Sequence, residues 1–233
     1  MSRRGDANTH ITPTPRRQFA HTLTLAGVAA ALALSAMASS YFPEFYHVWN
    51  PEQGHWSTYR ITDVRGETAE LTFAIVDKDP QGIWLELRTR QEGAEAVAAF
   101  LVKGDPTDDA NVLMVRAKDV GGPALQIDKA TLEKLRSEGQ SAFGGQATPI
   151  GPTVGKLEGM PDETMTVGGR KLKCRHLKVV GAEDHTAEVW LHDDVVPFGI
   201  VKLVSGSEEV VLQDYGKGAK PTLKGPFTPL SLP

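Results

Sequence analysis

In two stretches between Thr68 and Arg90 apolar side chains fall at every second position. Leu71, Phe73 and Ile75 alternate in the first stretch. In the second, Ile83, Leu85 and Leu87 alternate with Trp84, Glu86 and Arg88. A strand turns successive side chains to opposite faces, so this period of two predicts half-buried strands and excludes helices there. The same signal predicts strands over 56–64, 68–77, 82–90, 96–103 and 111–118, and again over 163–167, 171–180, 185–191, 199–205 and 208–215. Breakers stand between them: Arg65-Gly66, Asp79-Pro80-Gln81-Gly82, Gly104-Asp105-Pro106, Gly168-Gly169 and Gly181-Ala182-Glu183-Asp184. Such residues close turns and hairpins. One segment reads as helix: Asp128 caps it, Leu132 and Leu135 share a face, and Gly139 stops it. Residues 139–156, rich in glycine, proline, serine and threonine, read as a long flexible loop. The economical arrangement is mainly β (α+β), a curved antiparallel sheet with one short helix over it.

The first 38 residues read as an export signal. A polar, arginine-bearing stretch runs to Arg17, an alanine-rich apolar run follows from Leu23 to Leu34, and Ala36-Met37-Ala38 supplies the small residues of a cleavage site. Cleavage is expected after Ala38, leaving Ser39 as the new N-terminus. Arg16-Arg17-Gln18-Phe19 resembles the twin-arginine export motif, with Pro15 standing where that motif carries a small hydroxyl residue, so the general export route stays open. The other reading is an uncleaved anchor in the inner membrane with the domain in the periplasm, although the apolar run is shorter than the ~20 residues of a spanning helix. In that case the signal segment is the only membrane contact. The expected organisation is a signal peptide (1–38), an aromatic lead-in (39–53), an antiparallel β domain (54–219) and a proline-rich extended tail (220–233).

The chain carries 25 basic and 29 acidic residues. Arg3, Arg4, Arg16, Arg17 and Asp6 precede the cleavage site, which leaves the remainder at net −7. An acidic domain without a basic patch argues against nucleic acid as a partner. Cys174 is the single cysteine, so no intrachain disulfide can form. The lead-in holds Tyr41, Phe42, Phe45, Tyr46, Trp49 and Trp56 with Pro43 and Pro51 among them. It reads as an extended segment whose rings pack onto the sheet or, alternatively, cage a ligand.

No catalytic, cofactor-binding or metal-binding constellation emerges. Cys174 and His176 share a strand face, but adjacent same-face positions lie further apart than a nucleophile–base hydrogen bond, and no orienting carboxylate is evident. If Val180 stands opposite His185, then Arg175 faces Trp190 and Lys173 faces His192, while Cys174, His176, Ala187, Val189 and Leu191 form a core face. His47, His55, His176, His185 and His192 lack zinc-site spacing, and they read as solvated turn histidines plus one core histidine. The acidic pairs Asp108-Asp109, Glu183-Asp184, Asp193-Asp194 and Glu208-Glu209 read as turn and solubility residues rather than a carboxylate pair across a cleft. Gly206-Ser207 lacks the flanks of a nucleophile elbow. Gly151 to Gly155-Lys156 is one residue too short for a phosphate loop, with Leu157 in place of the magnesium-binding hydroxyl.

Several short segments carry a family likeness: Gly54-His55-Trp56-Ser57-Thr58-Tyr59, Ile83-Trp84-Leu85-Glu86, Gly169 to His176, Val189-Trp190-Leu191-His192, Val195 to Lys202, and Tyr215-Gly216-Lys217-Gly218-Ala219. In these the chain resembles bacterial exported proteins distantly similar to the periplasmic lipoprotein-carrier and outer-membrane lipoprotein-receptor group. The resemblance implies an open half-barrel with helical elements on its concave side. It also implies a lipid or lipoprotein acyl chain as partner and a periplasmic or secreted location. The receptor's acylated N-terminal cysteine has no counterpart here. The alternative is a non-catalytic interaction or scaffold domain of the envelope with a protein partner. No cofactor is expected.

Overall fold

The computed structural model describes residues 49–106, 108–118, 122–137, 155–181 and 186–230. In chain order these form β1 (Trp56–Thr62), β2 (Thr68–Asp79), β3 (Gly82–Gln91), β4 (Ala94–Val102), β5 (Val112–Lys118), β6 (Leu125–Ile127), α1 (Lys129–Ser137), β7 (Gly155–Gly159), β8 (Glu163–Val167), β9 (Arg170–Gly181), β10 (Thr186–Leu191), β11 (Ile200–Ser205), β12 (Glu208–Gly216) and β13 (Thr228–Pro229). The strands make one open, curved sheet in the order β13-β6-β5-β4-β3-β2-β1-β12-β11-β10-β9-β7, with β8 paired to β9. Every pairing is antiparallel except β13 with β6. The sheet does not close into a barrel. β1 pairs with both β2 and β12 and so joins the two halves of the chain.

The alternation read from the sequence sorts the side chains onto two faces. The inner face gathers Tyr59, Leu71, Phe73, Ile75, Leu85, Leu87 and Phe100 with Leu132 of α1 and Val189, Ile200 and Leu203 of the later strands, all buried. The outer face of β2 to β4 holds a smaller cluster of Ala74, Val76, Trp84, Ala99 and Leu101. α1 begins as expected, with the Thr131 N–H donating to Asp128 Oδ1 at 2.9 Å. The Gly168-Gly169 turn between β8 and β9 has φ of 53° and 78°, the two left-handed positions of a primed hairpin turn, which glycine adopts without a Cβ clash.

Three pairings differ from the sequence reading. β6 and β13 were not expected, and Gly155 and Lys156, assigned to the flexible loop, open β7. The tail does more than extend. It returns over the outer face, places Leu223 in the smaller cluster, and pairs alongside β6 through Thr228 N to Ala124 O and Leu230 N to Gln126 O, both 2.8 Å. The rest of the expected loop, residues 139–154, and the expected stop at Gly139 lie outside the described residues, as do Leu135's side chain, residues 39–48 of the lead-in and the 182–185 turn.

Candidate functional site

The hairpin of β9 and β10 carries most of the polar side chains singled out from the sequence. Its register is one residue away from the expected one: Val180 stands opposite Thr186, and Trp190 opposite His176. A slip of one residue changes which side chains share a face. Trp190 therefore meets His176 rather than Arg175, and Arg175 pairs with Asp193 at 3.3 Å. His176 leaves the face of Val189 and Leu191, where the expected register had put it, and stacks on the Trp190 ring with centroids 4.2 Å apart and planes 13° from parallel.

His176 is 5% exposed and held at both ring nitrogens. Nδ1 lies 3.3 Å from Glu163 Oε1 on β8, and Nε2 lies 3.0 Å from Glu188 Oε2 on β10. Trp190 Nε1 donates to the other oxygen of Glu163 at 3.1 Å, and Lys202 Nζ sits 5.6 Å from the Trp190 ring centroid. The orienting carboxylate that the sequence did not reveal is thus present twice, from the strands that precede and follow β9 in the chain. A ring gripped in this way ties β8, β9 and β10 together. Cys174 is fully buried, and its thiol points to the Leu172 carbonyl at 3.6 Å. Burial pushes this thiol up and the charge of Glu163 adds to the effect, against an opposing hydrogen bond from the Met165 backbone. A thiol so placed is a poor nucleophile.

The remaining described histidines have local partners. His55 is buried and meets Glu52 at 3.0 Å, so the core holds two histidines and not one. His192 Nδ1 accepts the Asp194 N–H at 3.2 Å. Glu208 and Glu209 open β12 rather than forming a turn. Among the described residues no group of three or more His, Cys, Asp or Glu side chains could hold a metal ion, and no helix is long and apolar enough to cross a membrane. Arg16, Arg17, Ala38 and Ser39 lie outside the described residues.

The inner face is the second place where a ligand was expected. The connection from β10 to β11 folds over it, and Phe198 lands 4.9 Å from Phe73 and 5.5 Å from Trp49 of the lead-in, ring centroid to ring centroid. Asn50 N donates to Pro197 O at 3.1 Å and fixes the lead-in to this connection. β2 and β11 are separated by β1 and β12 in the sheet, so only a chain crossing the face brings these rings together.

The outer face has an anchor that the sequence reading missed. Glu86 on β3 is 1% exposed. It accepts hydrogen bonds from Thr222 Oγ1 (2.6 Å), Thr222 N (2.9 Å) and Leu223 N (3.2 Å), with Arg88 Nε at 3.8 Å. Nearby, the Arg116 guanidinium lies between Trp84 and Phe227, 4.2 and 4.6 Å from the ring centroids. Buried charge is tolerated when it is fully hydrogen-bonded, and Glu86 meets that condition with the tail as donor.

No family model and no curated protein matches the chain. Solved structures with a similar trace include the MucA/MucB complex of Pseudomonas aeruginosa, at 16% identity and a TM-score of 0.42, covering 83% of this chain and 58% of that one. This chain therefore spans less than two thirds of that relative. A chain assigned as a lipoprotein from Parabacteroides distasonis matches at 10% identity and TM-score 0.33, over 72% of this chain and 97% of that one. A domain assigned to outer-membrane lipoprotein sorting from Vibrio parahaemolyticus matches at 11% identity and TM-score 0.18, over 86% and 94%. No residue role is carried over from them.

Proposed function

We propose that the chain is an exported, non-catalytic interaction domain of the cell envelope whose partner is a protein. The observation that carries this reading is the occupation of the inner face by the chain's own Phe198 and Trp49. With the outer face of β2 to β4 also covered by the tail, the strand edges and rims are left for a partner, and a sheet edge recognises protein through backbone hydrogen bonds. The polar side chains most able to do chemistry are engaged in holding strands and tail together, which supports binding over catalysis.

The second reading is a carrier that shelters a lipid or acyl chain on the inner face. It draws support from the apolar character of that face and from the way its cover is attached, through a connecting loop and the Asn50–Pro197 hydrogen bond. Each methylene withdrawn from water would contribute about 0.8 kcal/mol, but Phe198 would have to leave first. Native mass spectrometry of protein from its own host separates the readings: a stoichiometric protein supports the first, a co-purifying lipid the second. Titration with a fluorescent fatty acid is the companion test. Saturable binding that disappears in Leu85→Trp overturns the first reading.

Export is part of the proposal. The mature N-terminus in the envelope fraction is expected at Ser39, and intact Met1 on cytoplasmic protein contradicts it. Changing Arg16 and Arg17 together to Lys stops export if the twin-arginine route is used, and leaves it unchanged if the general route is used.

A further inference from the structure

We propose that β7 is a self-complementary edge through which two copies of this chain pair about a twofold axis at Leu157. β7 ends the strand order, and among the described residues nothing pairs with its outer side. Met160 N donates to His176 O at 2.9 Å, which makes that a hydrogen-bonded pair with β9. Antiparallel pairs alternate, so Lys156 and Glu158 also bond inward, while Gly155, Leu157 and Gly159 turn their N–H and C=O groups outward. Leu157 is 48% exposed and stands opposite buried Val179, so it continues the apolar inner face past the last strand. Of the three large exposed hydrophobic residues among those described, Leu157 and Met160 both lie at this edge. A Cβ built on Gly159 would meet nothing within 4 Å, so the approach is open.

The sequence from Gly155 to Gly159 is Gly-Lys-Leu-Glu-Gly. An antiparallel copy centred on Leu157 sets leucine against leucine on the inner face and glycine against glycine at the ends. On the outer face it sets Lys156 of each copy against Glu158 of the other. The outward backbone groups of Gly155, Leu157 and Gly159 then bond those of the second copy. Lys156 and Glu158 lie 3.1 Å apart within one chain, both partly or largely exposed, so the charges already sit where the exchange needs them. A twofold contact requires one patch that complements itself, and this charge pattern does so where an arbitrary edge would not. A five-residue strand pair is a small interface, so the association is weak and concentration-dependent.

This inference does not depend on the function proposed above. Sedimentation velocity of the full chain over a concentration series tests it. A reversible dimer is expected. K156E and E158K each set like charges opposite one another at two symmetry-related places, and each should weaken association by about tenfold. An equimolar mixture of K156E and E158K restores opposite charges across the axis and should recover the dimer as a heterodimer, which no folding defect in either variant could do. A full chain that stays monomeric at its highest soluble concentration overturns the proposal. So does a dimer unaffected by either variant, or a mixture that fails to recover.

Discussion

Glu86 shows how a buried carboxylate can organise a segment far away in sequence. Its oxygens satisfy two backbone N–H groups and one hydroxyl of Thr222 and Leu223, 136 and 137 residues further on. Glu86→Ala removes a charged acceptor from three donors and is expected to cost about 1.5–3 kcal/mol, the range for a hydrogen bond to a charged group. The loss should appear as a lower urea midpoint and as faster tryptic cleavage at Lys224; unchanged cleavage would mean that the anchor lies elsewhere. Cys174 presents the opposite case, a buried group with little polar demand. Its thiol points at the Leu172 carbonyl, which can equally accept from a hydroxyl, so Cys174→Ser should fall near the lower end of about 1–3 kcal/mol. A thiol reagent should label the native protein slowly and the unfolded protein at once.

Among the elements, α1 offers the clearest pH signature. The Thr131 backbone N–H, and then its side chain, hold the Asp128 carboxyl below its ordinary value against a small opposing effect of burial. A carboxyl depressed in the folded state contributes stability above its unfolded pKa. That contribution is lost as pH falls through the folded pKa, so the cap should weaken on the acid side of the ordinary carboxylate range. Asp128→Asn keeps a cap without the titration, and its stability curve should lack this part of the acid limb; an identical limb in both proteins would assign the acid sensitivity to other carboxylates. Gly82 tests the β2–β3 turn. A Cβ there would run into the Val102 carbonyl on β4, so Gly82→Ala is expected to destabilise by about 1–3 kcal/mol, measured by thermal unfolding. The longer strands were legible because alternation over seven or more residues registers burial on one face, as in β1. The short strands β6 and β13 were not, since three and two residues are too few to show a period, and β7 escaped because it begins inside the glycine- and proline-rich stretch read as loop. The register of β9 against β10 escaped for a related reason: it depends on how the connecting turn spends its residues, and one residue either way exchanges His176 for Arg175 against Trp190.

Across the whole molecule, β3 buries large apolar side chains on both faces, Leu85 and Leu87 on one and Trp84 on the other, and this implies two covers. The inner cover is partly legible, because the aromatic lead-in and the Asp128 helix were both read as lying against the sheet. The outer cover is not. The tail was read only as extended, and a contact between Glu86 and Thr222 leaves no local mark in either segment. The decisive measurement is removal of residues 219–233. This uncovers Ala74, Val76, Trp84, Ala99 and Leu101, strips Leu223 and Phe227 from the outer face, and leaves Glu86 without its donors. Burial of Leu223 alone contributes about 1.5–3 kcal/mol, and a charged acceptor deprived of its partners adds a comparable loss. The shortened chain should therefore lose about 3–6 kcal/mol and bind an apolar dye such as ANS on its newly exposed patch. Phe198 and Trp49 lie on the opposite face, where of the described tail only Leu230 packs against the inner cluster, so fatty-acid titration of the shortened chain should stay close to that of the full chain. An unaltered midpoint with no dye binding would show that the tail only rests on the sheet. A gain in fatty-acid binding would show that the two faces are coupled through β3.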